Sequence, residues 1–80
     1  MNVEKMQFKG MLAEAKKRFR TLDTEASGLI LIIRTLLSPY EEITKLDMPK
    51  ITVLTERLNK TFEEMKVLSE KISKLEAELE

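Results

Sequence analysis

Residues 8–36 read FKGMLAEAKKRFRTLDTEASGLILIIRTL, with apolar side chains at alternating steps of three and four. If position a of a seven-residue repeat is placed at Leu12, every a and d position in this stretch is apolar: Phe8, Leu12, Ala15, Phe19, Leu22, Ala26, Leu29, Ile33 and Leu36. Such spacing puts the apolar side chains along one face of an α-helix. The stretch therefore predicts a long amphipathic helix.

The second half of the chain carries the same repeat. Counted from Ile51, its a and d positions are Ile51, Leu54, Leu58, Thr61, Met65, Leu68, Ile72, Leu75 and Leu79, and only Thr61 is not apolar. A pattern sustained over four heptads is typical of helices that pack side by side as in a coiled coil. We therefore predict an all-α protein with long helices over residues 3–37 and 48–79, in a single domain spanning residues 1–80.

Between the two repeats lie two sequences that are typical of helix N-termini. Ser38-Pro39-Tyr40-Glu41 offers a capping Ser, a Pro suited to the first turn and a Glu three residues after the cap. Asp47 and Pro49 form a second start of this type. We therefore predict a connector helix over residues 39–46. One face of it would cover the end of the two-helix core with Tyr40, Ile43 and Leu46.

Charge is distributed unevenly along the chain. Residues 1–22 contain six basic and two acidic side chains, a net charge of +4, whereas residues 63–80 contain three basic and six acidic ones, a net charge of −3. An antiparallel hairpin brings these segments together, and charge complementarity of this kind selects the orientation of packed helices. The hairpin is thus the predicted topology. The alternative is a nearly continuous rod, in which the two prolines only kink one long helix.

Gly28 is the weak point of the first repeat. A Gly inside a helix costs about 1 kcal/mol relative to Ala. It is compatible with a kink, with a close helix crossing or with a tolerated surface position, and the last is the commonest of the three.

The composition restricts the kinds of site that the chain can hold. There is no Cys and no His, so disulfides, thiolate metal sites and His-dependent nucleophilic catalysis are excluded. The neighbouring carboxylates of Glu41-Glu42 and Glu63-Glu64 would point about 100° apart on a helix, so neither pair converges on one atom. We predict a protein that is not an enzyme and has no catalytic residue, cofactor or metal.

The apolar run of residues 29–33 is too short to span a membrane. A spanning helix needs about 20 apolar residues, and Arg34 interrupts this run. Residues 1–5 also lack the apolar core of a signal peptide. We therefore expect a cytoplasmic protein with no membrane partner.

A chain of 80 residues is marginally stable alone, because it buries only about 60% of its unfolded surface. Apolar residues also lie outside the a and d positions, so a single two-helix seam would leave them exposed. Among them are Met11, Ile30, Ile32, Leu37, Val53, Phe62 and Val67. We predict a homodimeric four-helix bundle, with higher oligomers as the alternative. The predicted oligomer interface comprises Phe19, Leu22, Leu29, Ile30, Ile33, Leu36, Leu58, Phe62, Met65, Leu68 and Ile72.

These patterns favour a structural or protein–protein interaction module that binds itself or another helical protein. The main alternative is a small nucleic-acid-binding regulator, because basic clusters contact phosphates and residues 16–20 include Lys16, Lys17, Arg18 and Arg20. These four charges occupy positions e, f, g and b and do not form one stripe, so ion pairing is the preferred interpretation. A third interpretation is a small chaperone or anti-factor that sequesters a partner helix.

Overall fold

The computed structural model describes residues 3–80, which form two long helices joined by a loop. Helix α1 spans Val3–Leu36 and helix α2 spans Met48–Leu79. The two helices pack against each other as an antiparallel hairpin, 65 Å long and about 15 Å across. A continuous rod of this chain would be about 120 Å long at 1.5 Å per residue. The hairpin is therefore the observed topology.

The heptad repeat describes the core of the hairpin. Every a and d position from Phe8 to Leu36 and from Ile51 to Leu79 is buried or half-buried, and all other described residues of the two helices are exposed. The most buried side chains are Ala15, Leu22, Leu29, Ile33, Ile51 and Leu75. The core is thus one continuous seam between the helices, and its position was predicted correctly.

Helix α2 begins with the predicted cap. The Oδ1 atom of Asp47 accepts a hydrogen bond from the backbone N–H of Lys50 at 3.2 Å, and Pro49 lies in the first turn. A helix start leaves four N–H groups without intrahelical partners, and this cap satisfies one of them.

The connector differs from the helix predicted over residues 39–46. Helix α1 ends at Leu36, and the backbone N–H of Glu41 then donates to the carbonyl oxygen of Ser38 at 3.3 Å. This closes a β-turn with Pro39 in its second position. Pro suits that position as well as it suits the first position of a helix, because both need a φ near −65°. The predicted start at Ser38 is therefore a turn.

Helical backbone in the connector is limited to a 3₁₀ turn at Ile43–Lys45, flanked by extended residues Glu42 and Leu46. The predicted cover over the end of the core is wrong as well. Tyr40 is 96% exposed and Ile43 is 76% exposed, and only Leu46 is half-buried. Without a continuous helix, the three apolar side chains do not share one face.

Gly28 occupies a tolerated surface position. Helix α1 continues through it, and a Cβ atom added at Gly28 would meet no neighbouring atom within 4 Å. A close helix crossing within the chain therefore does not account for this Gly.

Candidate association surface

The seam between α1 and α2 has two flanks with different chemistry. Viewed down a helix, positions a, e and b lie toward one side of the seam, and positions d, g and c lie toward the other. We call the first side the e flank; it includes Ala26, Ile30, Leu58 and Phe62. We call the second side the g flank; it is the side on which Arg18 of α1 lies.

An open apolar groove of about 400 Å³ lies on the e flank. Its lining residues are Ala26, Ile30, Thr55, Leu58, Asn59, Phe62 and Met65. None of the seven carries a charge. Ile30 is 43% exposed and Phe62 is 54% exposed, while the core residues Leu58 and Met65 are only half-buried. The apolar core therefore reaches the surface along this flank.

The Lys66 side chain borders this groove. The Nζ atom of Lys66 lies 5.7 Å from the centroid of the Phe62 ring. That distance is within the range of a cation–π contact. The aromatic ring is therefore shielded on one side by the Lys66 side chain, and more than half of its residue remains accessible to solvent.

The g flank is polar at the same height along the hairpin. Its groove, of about 260 Å³, is lined by eight residues, five of them charged: Arg18, Glu25, Arg57, Lys60 and Glu64. Across it, Arg18 donates two hydrogen bonds to Glu64, from Nε to Oε2 at 2.8 Å and from Nη2 to Oε1 at 3.4 Å. Charged groups of this kind keep their hydration at the surface, so this part of the g flank is poorly suited to burial.

The Arg18–Glu64 contact changes the acidity of both groups. The hydrogen bond from Arg18, assisted by its positive charge, holds the pKa of the Glu64 carboxyl below its ordinary value. The same hydrogen bond and the negative charge of Glu64 raise the pKa of the Arg18 guanidinium. Both side chains are about half exposed. Solvent therefore screens the pair, and we expect it to determine register and orientation more than stability.

The basic segment of residues 16–20 takes part in ion pairs between the helices. Lys16 Nζ lies 3.7 Å from Glu76 Oε2, and Arg18 contacts Glu64 as described. Lys17 and Arg20 are exposed and lie outside both pairs. The preferred interpretation of this segment, ion pairing within the hairpin, therefore applies to two of its four cations.

The structure divides the eleven predicted interface residues into three groups. Leu22, Leu29 and Ile33 are buried inside the hairpin, where they hold the two helices of one chain together. Ile30 and Phe62 are exposed. The remaining six, all core positions open to solvent on one side, are half-buried: Phe19, Leu36, Leu58, Met65, Leu68 and Ile72.

Two further exposed apolar residues continue the e flank toward the loop. Leu37 lies at the e position directly after the first repeat, and Met48 lies at the e position just before the second repeat. Both are exposed. The list of predicted interface residues omitted both, although Leu37 was among the apolar residues expected to be exposed outside the seam. Counting back three residues from Ile51 reaches Met48 at an e position. With Ile30 and Phe62 they make an apolar strip in the half of the hairpin next to the loop.

Exposed apolar residues are concentrated near that loop. Of the thirteen large apolar residues found exposed in the described chain, eight lie between residues 30 and 53. Over residues 3–80, neither helix has a stretch that is apolar and long enough to cross a membrane.

In the described part of the chain, no three acidic side chains come together as a set that could hold a metal ion. No protein-family model, curated protein or solved structure matches the sequence.

Proposed function

We propose that this protein is a non-catalytic association module whose hairpins pair into a homodimeric four-helix bundle. The observation that supports this is that the core of one hairpin leaves many large apolar side chains exposed. Packing of α1 on α2 uses the a and d positions, yet thirteen large apolar residues of the described chain remain exposed. The contiguous part of this surface, the groove that contains Ile30 and Phe62, is of the kind that typically marks an interaction site.

A second copy is the partner that best completes this core. A helix of a globular bundle buries a stripe wider than its a and d positions, usually with e or g added. In the single hairpin, Phe19, Leu58 and Met65 are only half-buried. Packing two hairpins face to face turns these positions into the interior of a four-helix bundle. Each buried methylene then contributes about 0.8 kcal/mol.

The test is the mass of the folded protein in solution. We expect sedimentation equilibrium at about 10–50 µM to give close to twice the 9.3 kDa of one chain. A dimer with a Kd of about 1 µM or tighter, which corresponds to about 8 kcal/mol or more, is mostly associated at these concentrations. Thermal unfolding should also shift to higher temperature as the concentration rises, because association stabilises the folded state by mass action. A folded 9.3 kDa species throughout this range would contradict the proposal.

A nucleic-acid-binding regulator has less support. Two of the four cations proposed for it, Lys16 and Arg18, are already paired with acidic side chains. A regulator of this kind should shift a DNA or RNA fragment at low salt and release it steeply as salt is added. Binding to another helical protein and a cytoplasmic location stay predictions from the sequence.

A further inference from the structure

We infer that the second copy packs on the e flank with the loops of both copies at the same end, so that α1 of each copy lies beside α2 of its partner. This inference rests on the proposed self-association. It adds which surface forms the dimer interface and how the two hairpins are oriented relative to each other. A twofold axis along the hairpin generates the arrangement. Each surface is then self-complementary, as closed dimers require.

The choice of flank follows from what each would bury. Four e positions near the loop are apolar and exposed: Ile30, Leu37, Met48 and Phe62. Level with Ile30 and Phe62, the g flank presents the charged groove around Arg18 and Glu64. Nearer the loop the g flank also exposes two apolar residues, Ile32 and Val53. Removing apolar surface from water is favourable, whereas removing half-exposed ion pairs from water costs free energy. Burial of the e flank is therefore the favourable choice.

The orientation follows from register. A twofold axis along the hairpin leaves each residue's position along the long axis unchanged. Residues of α1 and α2 that lie at the same level within one hairpin therefore also lie at the same level across the dimer. Ile30 lines one groove with Thr55 and Phe62, so it would meet the partner's Thr55 and the partner's Phe62. Leu37 and Met48 both lie next to the loop and would meet in the same way. Apolar residues therefore contact apolar residues in both copies.

The charges of the e flank agree with this orientation. Lys16 is level with Glu76 in one chain, at 3.7 Å, so in the dimer it also approaches the partner's Glu76. Lys66 lies beside Phe62, at a height where an adjacent α1 presents Asp23 at an e position. In these two pairs, opposite charges face each other across the dimer. Complementarity of this kind mainly selects orientation and partner.

The opposite orientation lacks this match. With the loops at opposite ends and full overlap, α1 would lie beside the partner's α1 in the reverse direction. Ile30 would then meet the partner's Lys9 region, and Leu37 would lie near the partner's N-terminal turn. Exposed apolar residues would face charged and solvated ones, and most of the gain from burying the apolar strip would be lost.

The flank is tested by a matched pair of substitutions, Ile30→Lys and Ile32→Lys. Both replace an Ile of the same helix turn with similar exposure, 43% and 46%, but Ile30 lies on the e flank and Ile32 on the g flank. We expect Ile30→Lys to raise the dimer Kd at least about tenfold, a change of about 1.4 kcal/mol. Ile32→Lys should leave the Kd within about twofold. Circular dichroism confirms that both variants remain helical.

The orientation is tested in the otherwise unchanged protein by spin labels on single cysteines, since the chain has no Cys. Tyr40→Cys labels the loop and Ala77→Cys the free end, and both positions are exposed. We expect distances between copies below about 40 Å at both positions, because helix axes in a bundle are about 10 Å apart. With the loops at opposite ends, the separation would approach the 65 Å length of the hairpin.

The outcomes separate this inference from the proposed function. Long distances at both labels overturn the orientation, and equal weakening by Ile30→Lys and Ile32→Lys overturns the flank; in both cases the protein still self-associates. A monomeric unmodified protein overturns self-association and the inference together. Short distances at both labels, with selective weakening by Ile30→Lys, support the e-flank dimer.

Discussion

Arg18 in α1 and Glu64 in α2 are joined by two hydrogen bonds, although 46 positions separate them in the sequence. Together with Lys16 and Glu76, this pair ties the basic N-terminal half of the chain to its acidic C-terminal half. One pair lies on the g flank and the other on the e flank. An ion pair on each side of the seam therefore favours the same antiparallel register.

The first prediction concerns the pH dependence of this pair. The pKa of Glu64 is lowered in the folded state by the hydrogen bond from Arg18. The pair's contribution to stability is therefore fully present above the ordinary glutamate pKa of about 4.3. It is lost as the pH falls through the lower folded value. We expect Glu64→Gln to be less stable than the wild type near neutral pH, and the difference to vanish in acid.

Urea unfolding followed by circular dichroism at pH values from about 2 to 7 measures this difference across the glutamate titration range. Glu63→Gln is the matched control, because Glu63 is the neighbouring carboxylate and is also exposed but lies outside the Arg18 contact. A constant difference between Glu64→Gln and the wild type at all pH values would show that the carboxylate charge is not responsible.

The second prediction compares two leucines in the same helix turn. Leu29 is 7% exposed in the seam, whereas Leu31 is 64% exposed on the outer face. Leu29→Ala should lower the free energy of unfolding by about 2–5 kcal/mol, because it removes buried contacts and leaves a cavity. Leu31→Ala should change it by less than about 1 kcal/mol. Equal losses in thermal unfolding would mean that the heptad repeat does not describe the core.

The heptad repeat predicted the two helices and their seam because burial is periodic. An a or d position is covered whenever any helix packs on that face. For the same reason the repeat could not distinguish contacts within a chain from contacts between chains. Leu22 and Leu29 were therefore predicted at the oligomer interface, but they lie inside one hairpin. Ile30 and Phe62, which lie outside the a and d positions, are exposed and remain candidates for the interface.

The connector was harder to predict for a different physical reason. Pro39 fixes φ near −65°, and this value is shared by the first residue of a helix and the second residue of a β-turn. The choice depends on the residues that follow. Glu42 is extended, which lets the chain cross from α1 to α2, and this requirement comes from the tertiary fold. The role of Asp47 as a helix cap was easier to predict, because a long apolar heptad repeat begins a few residues after it.

The third prediction concerns Gly28 in α1. A Cβ atom at this position meets nothing within 4 Å, so Ala fits without displacing a neighbour. Gly28→Ala should raise the free energy of unfolding by about 0.5–1 kcal/mol, because Ala loses less backbone entropy on entering a helix. Thermal unfolding at fixed protein concentration measures the change. A lower melting temperature would show that the helix requires Gly there for a contact, such as a close approach by another chain on the g flank.

The fourth prediction concerns the cap of α2. Asp47 accepts the N–H of Lys50 at 3.2 Å, and a helix of 32 residues begins directly after it. Asp47→Ala removes the acceptor and should cost about 1 kcal/mol, whereas Asp47→Asn keeps an acceptor oxygen and should cost only a few tenths. Ser38→Ala is a useful comparison in the loop. Its Oγ atom accepts the N–H of Tyr40 at 3.3 Å, but no helix depends on that bond.

We therefore expect the order of stability to be wild type, then Asp47→Asn, with Asp47→Ala lowest. Ser38→Ala should lie closer to the wild type than Asp47→Ala does, since losing a cap leaves a helix N–H without its partner. Amide hydrogen exchange gives the local measurement, because fraying of the first turn of α2 should speed exchange at Lys50 and the residues after it. If Ser38→Ala were as costly as Asp47→Ala, the Ser38–Glu41 turn would be as important to the hairpin as the cap.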